Sequence, residues 1–256
     1  MKKLIPALCM LLVAAALLGT STYAWFSMNT EVKATGMQVK AVTNANLYIK
    51  EGLIDDANAI TGVQATMTST VHSLSPAELT DSSGTVTVKV PATYTEGKLP
   101  TVNTAGEGAT WTEKGTFTAT TPTATLATTT SDGIGNYIAA ETMTIVRKAQ
   151  TDVASVYDVD AAVTVTLGSE SNLNKALYCG FLVGTTFIQK AADTPTASGT
   201  ATFTFADVLD NVADNAVQKI TFVLWYEGED ANCTSNNAVS ISTNSVTITF
   251  TSRAHA

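Results

Sequence analysis

Side chains able to do chemistry are few in this sequence of 256 residues, and they are widely separated. The two histidines are His72 and His255. A zinc protease needs two histidines four residues apart with an adjacent glutamate, and many hydrolases need a Gly-x-Ser-x-Gly turn. The sequence has neither pattern and no glycine-rich phosphate loop. We therefore predict that the protein is not an enzyme, with no catalytic residue and no cofactor, and that each histidine is solvated or hydrogen-bonded.

Carboxylates are grouped at three places. The densest group is Glu227–Asp230, and clustered carboxylates are what a hard cation such as calcium requires. Its spacing matches no calcium loop that we can specify, so a solvated acidic turn after a buried strand is the favoured interpretation and we predict no metal site. The pairs Asp55 with Asp56 and Asp158 with Asp160 have the chemistry for acid–base work on sugars, but nothing in the sequence brings them together.

The cysteines Cys179 and Cys233 leave two interpretations open. In an oxidising compartment, a secreted chain with two cysteines often forms one disulfide, provided that the Cα atoms come within about 7 Å. Alternatively, Cys179, which lies between Tyr178 and Gly180 in an apolar run, is a buried small hydrophobic residue.

The beginning of the sequence predicts export. Two lysines follow Met1, an apolar run covers Leu4–Gly19, and small residues stand at Thr22 and Ala24. These are the features of a signal peptide over residues 1–24, with cleavage between Ala24 and Trp25. The alternative is an uncleaved N-terminal anchor. We expect a secreted protein of the cell surface or extracellular matrix, which meets the membrane only through the uncleaved precursor.

Composition narrows the class of protein further. The net charge is −8, and removal of residues 1–24 takes away two lysines and no acid, which gives −8 − 2 = −10. An acidic chain without a basic cluster disfavours nucleic acid as a partner. Charged residues make up only 14% of the chain, and threonine, serine, alanine and valine are abundant, which is typical of a β-rich extracellular domain.

Alternating β-branched and aromatic residues predict an all-β fold, a jelly-roll-like antiparallel β-sandwich. The run Lys219–Tyr226 is apolar on both phases, so we expect a central strand covered on both sides. Short helices are predicted at Ser75–Leu79 and Phe205–Val212. The predicted strands are Val32–Ala41, Asn46–Lys50, Thr85–Val90, Ile138–Lys148, Asp160–Leu167, Ala176–Val183, Thr202–Phe205, Lys219–Tyr226 and Ser245–Thr251.

A threonine-rich stretch, residues 92–135, interrupts the strand pattern, with Trp111 and Phe117 as its large apolar residues. We interpret it as an insertion between sandwich strands, either a hairpin or small subdomain around Ala109–Thr120 or a mobile segment. The predicted organisation is therefore a signal peptide, an extended N-terminal segment over residues 25–41, and a sandwich domain over residues 42–256 with this insertion.

Two regions resemble the TasA and camelysin family of exported bacterial proteins. The first is Thr22, Tyr23 and Ala24, followed by Trp25, Phe26, a polar stretch and the small-residue strand Val32–Val39. The second runs from Phe222–Gly228 through Cys233 to the last strand, Val246–Phe250. The resemblance implies a jelly-roll subunit that polymerises into biofilm-matrix or cell-surface fibres. The metalloendopeptidase activity associated with camelysin gains no support, because the residues of a zinc site are missing.

The family resemblance also implies a homo-oligomer or filament in which the N-terminal segment of one subunit completes a sheet of its neighbour, and matrix or surface components as further partners. Strand addition of this kind is a known recognition mode. The subunit contacts would come from Trp25, Phe26, Val32, Ala34, Met37 and Val39. Two alternatives remain open: Glu31–Ala41 as an ordinary first strand of its own sandwich, and a secreted adhesive or carbohydrate-binding module that uses Trp111.

Overall fold

A computed structural model of the chain describes residues 37–43, 46–69, 71, 73–91, 111–119, 134–149, 156–233, 239–241 and 243–255. These residues form strands and three short 3-10 segments, Ala57–Ala59, Ile134–Asn136 and Asn172–Ala176. The strands are β1 (Gln38–Thr43), β2 (Leu47–Glu51), β3 (Gln64–Thr68), β4 (Ser73–Leu74), β5 (Glu78–Ser82), β6 (Thr85–Pro91), β7 (Trp111–Thr118), β8 (Ile138–Arg147), β9 (Val156–Thr166), β10 (Leu177–Val183), β11 (Thr186–Ala191), β12 (Thr200–Ala213), β13 (Gln218–Tyr226), β14 (Val239–Ser240) and β15 (Ser245–Ala254).

Ten of these strands form two sheets that enclose the main core. The first sheet has the order β12–β9–β15–β1–β3, and the second has the order β11–β10–β13–β8–β2. Neighbouring strands are antiparallel throughout, except that β1 and β15 are parallel. The predicted all-β sandwich is confirmed, and the parallel pair is a feature that the strand pattern did not reveal.

Alternation along the strands builds this core, as β15 illustrates. Its residues Val246, Ile248 and Phe250 are buried, whereas Thr249 and Thr251 are exposed. At the centre, the ring of Phe181 lies 5.0–5.8 Å from three other aromatic rings, those of Phe205, Phe222 and Phe250. Residues from both sheets therefore interdigitate in one apolar layer.

A small sheet of three strands, β5–β6–β7, covers the outer face of the second sheet. The residues beneath it include Val223 and Trp225 of β13, both fully buried, and Leu182 of β10. The prediction that Lys219–Tyr226 is covered on both sides is thus confirmed. The inward phase of β13 contacts the sandwich core, and its outward phase contacts the small sheet.

The described part of the predicted insertion contributes one strand to that small sheet. Strand β7 pairs with β6, and Phe117 is buried against it. The partner strand of β7, β6, precedes the predicted insertion. Residues 92–110 and 120–133 lie outside the described residues.

Both predicted helices are wrong, because neither segment is helical: the first leads through an isolated bridge into β5, and the second belongs to β12. In Ser75–Leu79, Ala77 makes an isolated bridge to Glu227, and β5 begins at the next residue. Within β5, Leu79 is buried and pairs with Val88 of β6. Tertiary packing overrides the local capping pattern there.

The second segment, Phe205–Val212, is the bulged half of β12. Its register with β9 shifts twice, on either side of Leu209, and Asp207 and Asn211 have positive φ angles of 54° and 53°. Each irregularity changes which residues face the core. The buried apolar residues of this segment therefore follow one another at the spacing expected of a helix.

The predicted domain boundary between residues 41 and 42 falls within β1. The described residues form part of a single compact unit that contains β1. The predicted signal peptide, residues 1–24, and most of the predicted N-terminal segment lie outside the described residues.

Candidate functional site

Strand β1 occupies an internal position in the first sheet. In its register, Val39 is aligned with Val246 of β15 on one side and with Met67 of β3 on the other. Met37 and Val39 are fully buried, whereas Lys40 is exposed on the opposite face. The first described strand therefore supplies apolar side chains to the core and completes the hydrogen bonding of two neighbours. Another copy of the chain could supply a strand of this kind.

The predicted contact residues are only partly described. Met37 and Val39 lie in the core of their own sandwich, as the alternative of an ordinary first strand requires. The other predicted contacts and the cleavage site, Trp25, Phe26, Val32, Ala34 and the Ala24–Trp25 bond, lie outside the described residues.

An acidic side chain that sequence reasoning missed lies near the start of β1. Glu141 is on the inward phase of β8, between Ala139 and Met143, which are both buried in the main core. Its signal in the sequence is a single carboxylate inside the apolar run Ile138–Lys148. Burial, followed by the nearby charge of Glu51, raises the pKa of Glu141 to about 7, and a hydrogen bond with Ser69 opposes the shift.

The acidic turn Glu227–Asp230 is held by its own hydrogen bonds. Glu227 accepts from the indole N–H of Trp225 at 3.0 Å and from the backbone N–H of Glu229 at 3.2 Å. Burial raises the pKa of Glu227 to about 6, and the charges of Glu78 and Glu229 add to the shift. Asp230 accepts from both the backbone and the side-chain amide of Asn232, at 2.7 and 2.9 Å. These carboxylates stabilise the turn, and no three of them bring ligand atoms within 4.8 Å of one another.

Aromatic residues around this turn serve packing. The indole of Trp111 lies over Gly228, where an added Cβ would be 2.2 Å from Cη2. The rings of Tyr178 and Phe187 lie 5.8 and 6.0 Å from that of Trp225. Among the described residues, Val63 is the only large hydrophobic side chain classed as exposed. The described aromatic residues thus give no support to a carbohydrate-binding surface.

A second charged cluster lies at the end of β15. Its residues are distant in the sequence, and their contact was not predicted. Asp158 of β9 is buried, and its carboxylate accepts from the backbone N–H of Asn211 at 2.9 Å. It also lies 2.7 Å from Nη1 of Arg253 and 2.7 Å from Nδ1 of His255. The hydrogen bond from Asn211, with the neighbouring Arg253 and His255, lowers the pKa of Asp158. We call Asp158, Asn211, Arg253 and His255 the C-terminal clamp.

The clamp stabilises the bulges of β12. Asp160, the other carboxylate of the pair noted in the sequence, accepts from the backbone N–H of Asp207 at 2.9 Å and lies 3.5 Å from Nε of Arg253. Ligand atoms of Asp158, Asp210 and His255 come within 4.8 Å of one another, with Arg253 already paired to Asp158. These contacts anchor both positive-φ residues of β12, which is a structural role.

The remaining predicted residues have local roles. Asp55 forms an ion pair of 2.5 Å with Lys219, and Asp56 caps the segment Ala57–Ala59, so these two carboxylates do not act together. No disulfide joins Cys179 and Cys233 in the structure: both are fully buried, and burial raises the pKa of the free Cys179 thiol well above its usual value. His72 lies outside the described residues.

Comparison with known proteins gave no match. No protein family, no curated protein and no solved structure is significantly similar to this chain. The resemblance to the TasA and camelysin family therefore stays a prediction from the residues. In the part of the chain that the structure describes, no helix has the length and apolar character needed to span a membrane.

Proposed function

We propose that this protein is a secreted, non-enzymatic structural subunit that assembles with copies of itself into fibres of the bacterial surface or biofilm matrix, through exchange of its N-terminal strand. The observation that carries the proposal is the position of β1. It is the first strand of the described fold, yet it lies between β15 and β3 inside a sheet.

Such a strand suits exchange because it is tied to the described fold at its C-terminal end only. Removal of β1 would uncover the edge of β15 and disconnect β3, which pairs with no other strand of the sheet. It would also remove the buried side chains of Met37 and Val39 from the core, each worth roughly 1.5–3 kcal/mol. The same strand from a second copy restores all of these contacts, so exchange costs little at equilibrium.

The other features of the sequence are compatible with this role. The signal peptide predicted from the sequence favours export, and the acidic, threonine-rich composition is typical of an extracellular β protein. At the far edge of the first sheet, the bulges and exposed acids of β12 oppose unspecific edge pairing. Assembly would then depend on β1 and the segment before it.

A reversible lock on β1 tests the proposal. Lys40 and Thr66 are exposed partners on β1 and β3, so the double variant Lys40→Cys, Thr66→Cys can be oxidised within the monomer. We expect the oxidised chain, starting at Trp25, to form no filaments in negative-stain electron microscopy and the reduced chain to form them. The matched control is Ala162→Cys, Thr249→Cys, an exposed pair between β9 and β15.

The control should form filaments in both redox states, because its disulfide leaves β1 free to exchange. Filaments from the oxidised Lys40→Cys, Thr66→Cys monomer would contradict strand exchange. Absence of filaments from every reduced chain would contradict the structural role itself.

A further inference from the structure

Two acidic side chains lie on the inward phase of the second sheet, at the end of the sandwich where β1 begins. In the register of β2 with β8, Glu51 is aligned with Met143, which places it diagonally across from Glu141. Residues two positions apart along paired strands lie on the same face, within reach of long side chains. Both carboxylates therefore stand on the face that meets the first sheet, where β3 contacts β2, and Glu51 is exposed at the end of its strand.

Ser69 connects Glu141 to β1. Its side chain is buried and hydrogen-bonds Glu141, and its backbone N–H donates to the carbonyl of Met37 at 2.9 Å. Met37 itself is fully buried. Ser69 therefore links Glu141 to Met37, the first residue of the described fold.

Among the described residues, the partners of Glu141 across the core are apolar. Phe222 is its direct partner on β13, and β1 contributes Met37 to the same core. The lysine of β2, the strand that flanks β8, and the lysine of β1 in the opposite sheet are Lys50 and Lys40, and both lie on the outward phase and are exposed. The titratable group that faces Glu141 from the neighbouring strand is thus another acid, Glu51.

We propose that Glu141 is a proton-operated latch for β1: while Glu141 is protonated, β1 and β3 stay closed over the core, and its ionisation favours their local release. The driving force is hydration, because the half-buried carboxylate between Ala139 and Met143 gains water when this end of the sandwich opens. The latch is a property of the folded monomer, and its test does not depend on the proposed assembly.

The direction of the pH effect follows from burial. In the closed state the pKa of Glu141 is raised to about 7, and in the open state it returns toward its ordinary value of 4.5. Opening is therefore favoured increasingly as the pH rises from 4.5, and the effect levels off above pH 7. Between pH 5 and pH 8 we expect the population of the open state to rise at least about tenfold relative to a variant without the carboxylate.

Amide hydrogen exchange followed by mass spectrometry tests this inference. The wild type and Glu141→Gln are compared at each pH, so the intrinsic pH dependence of exchange cancels in peptides that cover β1 and β3. We expect the ratio of wild-type to variant exchange rates to rise at least tenfold between pH 5 and pH 8. Peptides that cover β9 provide the internal control and should show a much smaller change.

Two further variants keep the test decisive. Glu51→Gln removes the repulsion that helps to keep Glu141 protonated, so the rise should become smaller and level off at a lower pH. Glu170→Gln, at an exposed loop position, should behave as the wild type. A ratio that does not depend on pH, or an equal change in the β9 peptides, would overturn the latch.

Discussion

Replacement of Val39 by alanine tests whether β1 belongs to the core of the sandwich in the free chain. The side chain is fully buried in the main core, so the substitution removes the equivalent of two methylene groups from a packed interior. At about 0.8 kcal/mol per group, the lost transfer free energy is about 1.6 kcal/mol. The cavity adds to it, and we expect the free energy of unfolding to fall by about 2–3 kcal/mol.

The assay is urea unfolding followed by tryptophan fluorescence, at a concentration where sedimentation finds monomers. The matched control is Val63→Ala, because Val63 is 57% exposed and truncation there should change the free energy by less than about 0.5 kcal/mol. Both variants should keep the wild-type denaturant slope. Equal stability of the two variants would refute the placement of β1 in its own sheet.

Three further perturbations address the acidic turn, the C-terminal clamp and the small sheet. The pKa of Glu227 is raised to about 6, so its ionisation destabilises the folded state as the pH rises from 4.5 through 6. The free energy of unfolding of the wild type should therefore fall by about 1 kcal/mol over this range. Glu227→Gln should remove this part of the pH dependence. Asp158→Asn should lower the melting temperature more than Asp210→Asn at pH 7, because only Asp158 is buried, and the difference should vanish at acid pH as Asp158 is protonated. Gly228→Ala should cost about 1–3 kcal/mol in urea unfolding, because the new Cβ collides with Trp111; an unchanged midpoint would contradict this contact.

The strands that could be predicted from the sequence are those in which apolar and polar residues alternate according to which face is buried. β15 and β13 are examples, since the apolar phases of each reflect how many of its faces are covered. β3 and β11 escaped prediction, because neither of these short edge strands has an extended buried phase: β3 buries only Ala65 and Met67, and no residue of β11 is fully buried. In β12, the bulges gave the apolar residues the spacing of a helix, so the strand was predicted as a helix.

The candidate site was less predictable than the fold, for a physical reason. The environment of Glu141 depends on β2 and the end of β3, which are distant in the sequence, so its burial has no local signature. Asp158 and His255 are 97 residues apart and meet only because β9 pairs with β15. Met37 and Val39 were identified as important apolar residues, but the sequence could not decide whether their core belongs to the same chain or to a neighbour.

The central claim, strand exchange between copies, is tested most directly by isotope-mixed disulfide mapping. Equal amounts of 15N-labelled and unlabelled chains with Lys40→Cys and Thr66→Cys are mixed while reduced, assembled, and then oxidised. Mass spectrometry identifies the disulfide peptide that joins positions 40 and 66. Exchange predicts heavy–light pairs in about half of these peptides, approaching a random mixture. Disulfides that join only positions of the same isotope would contradict the account.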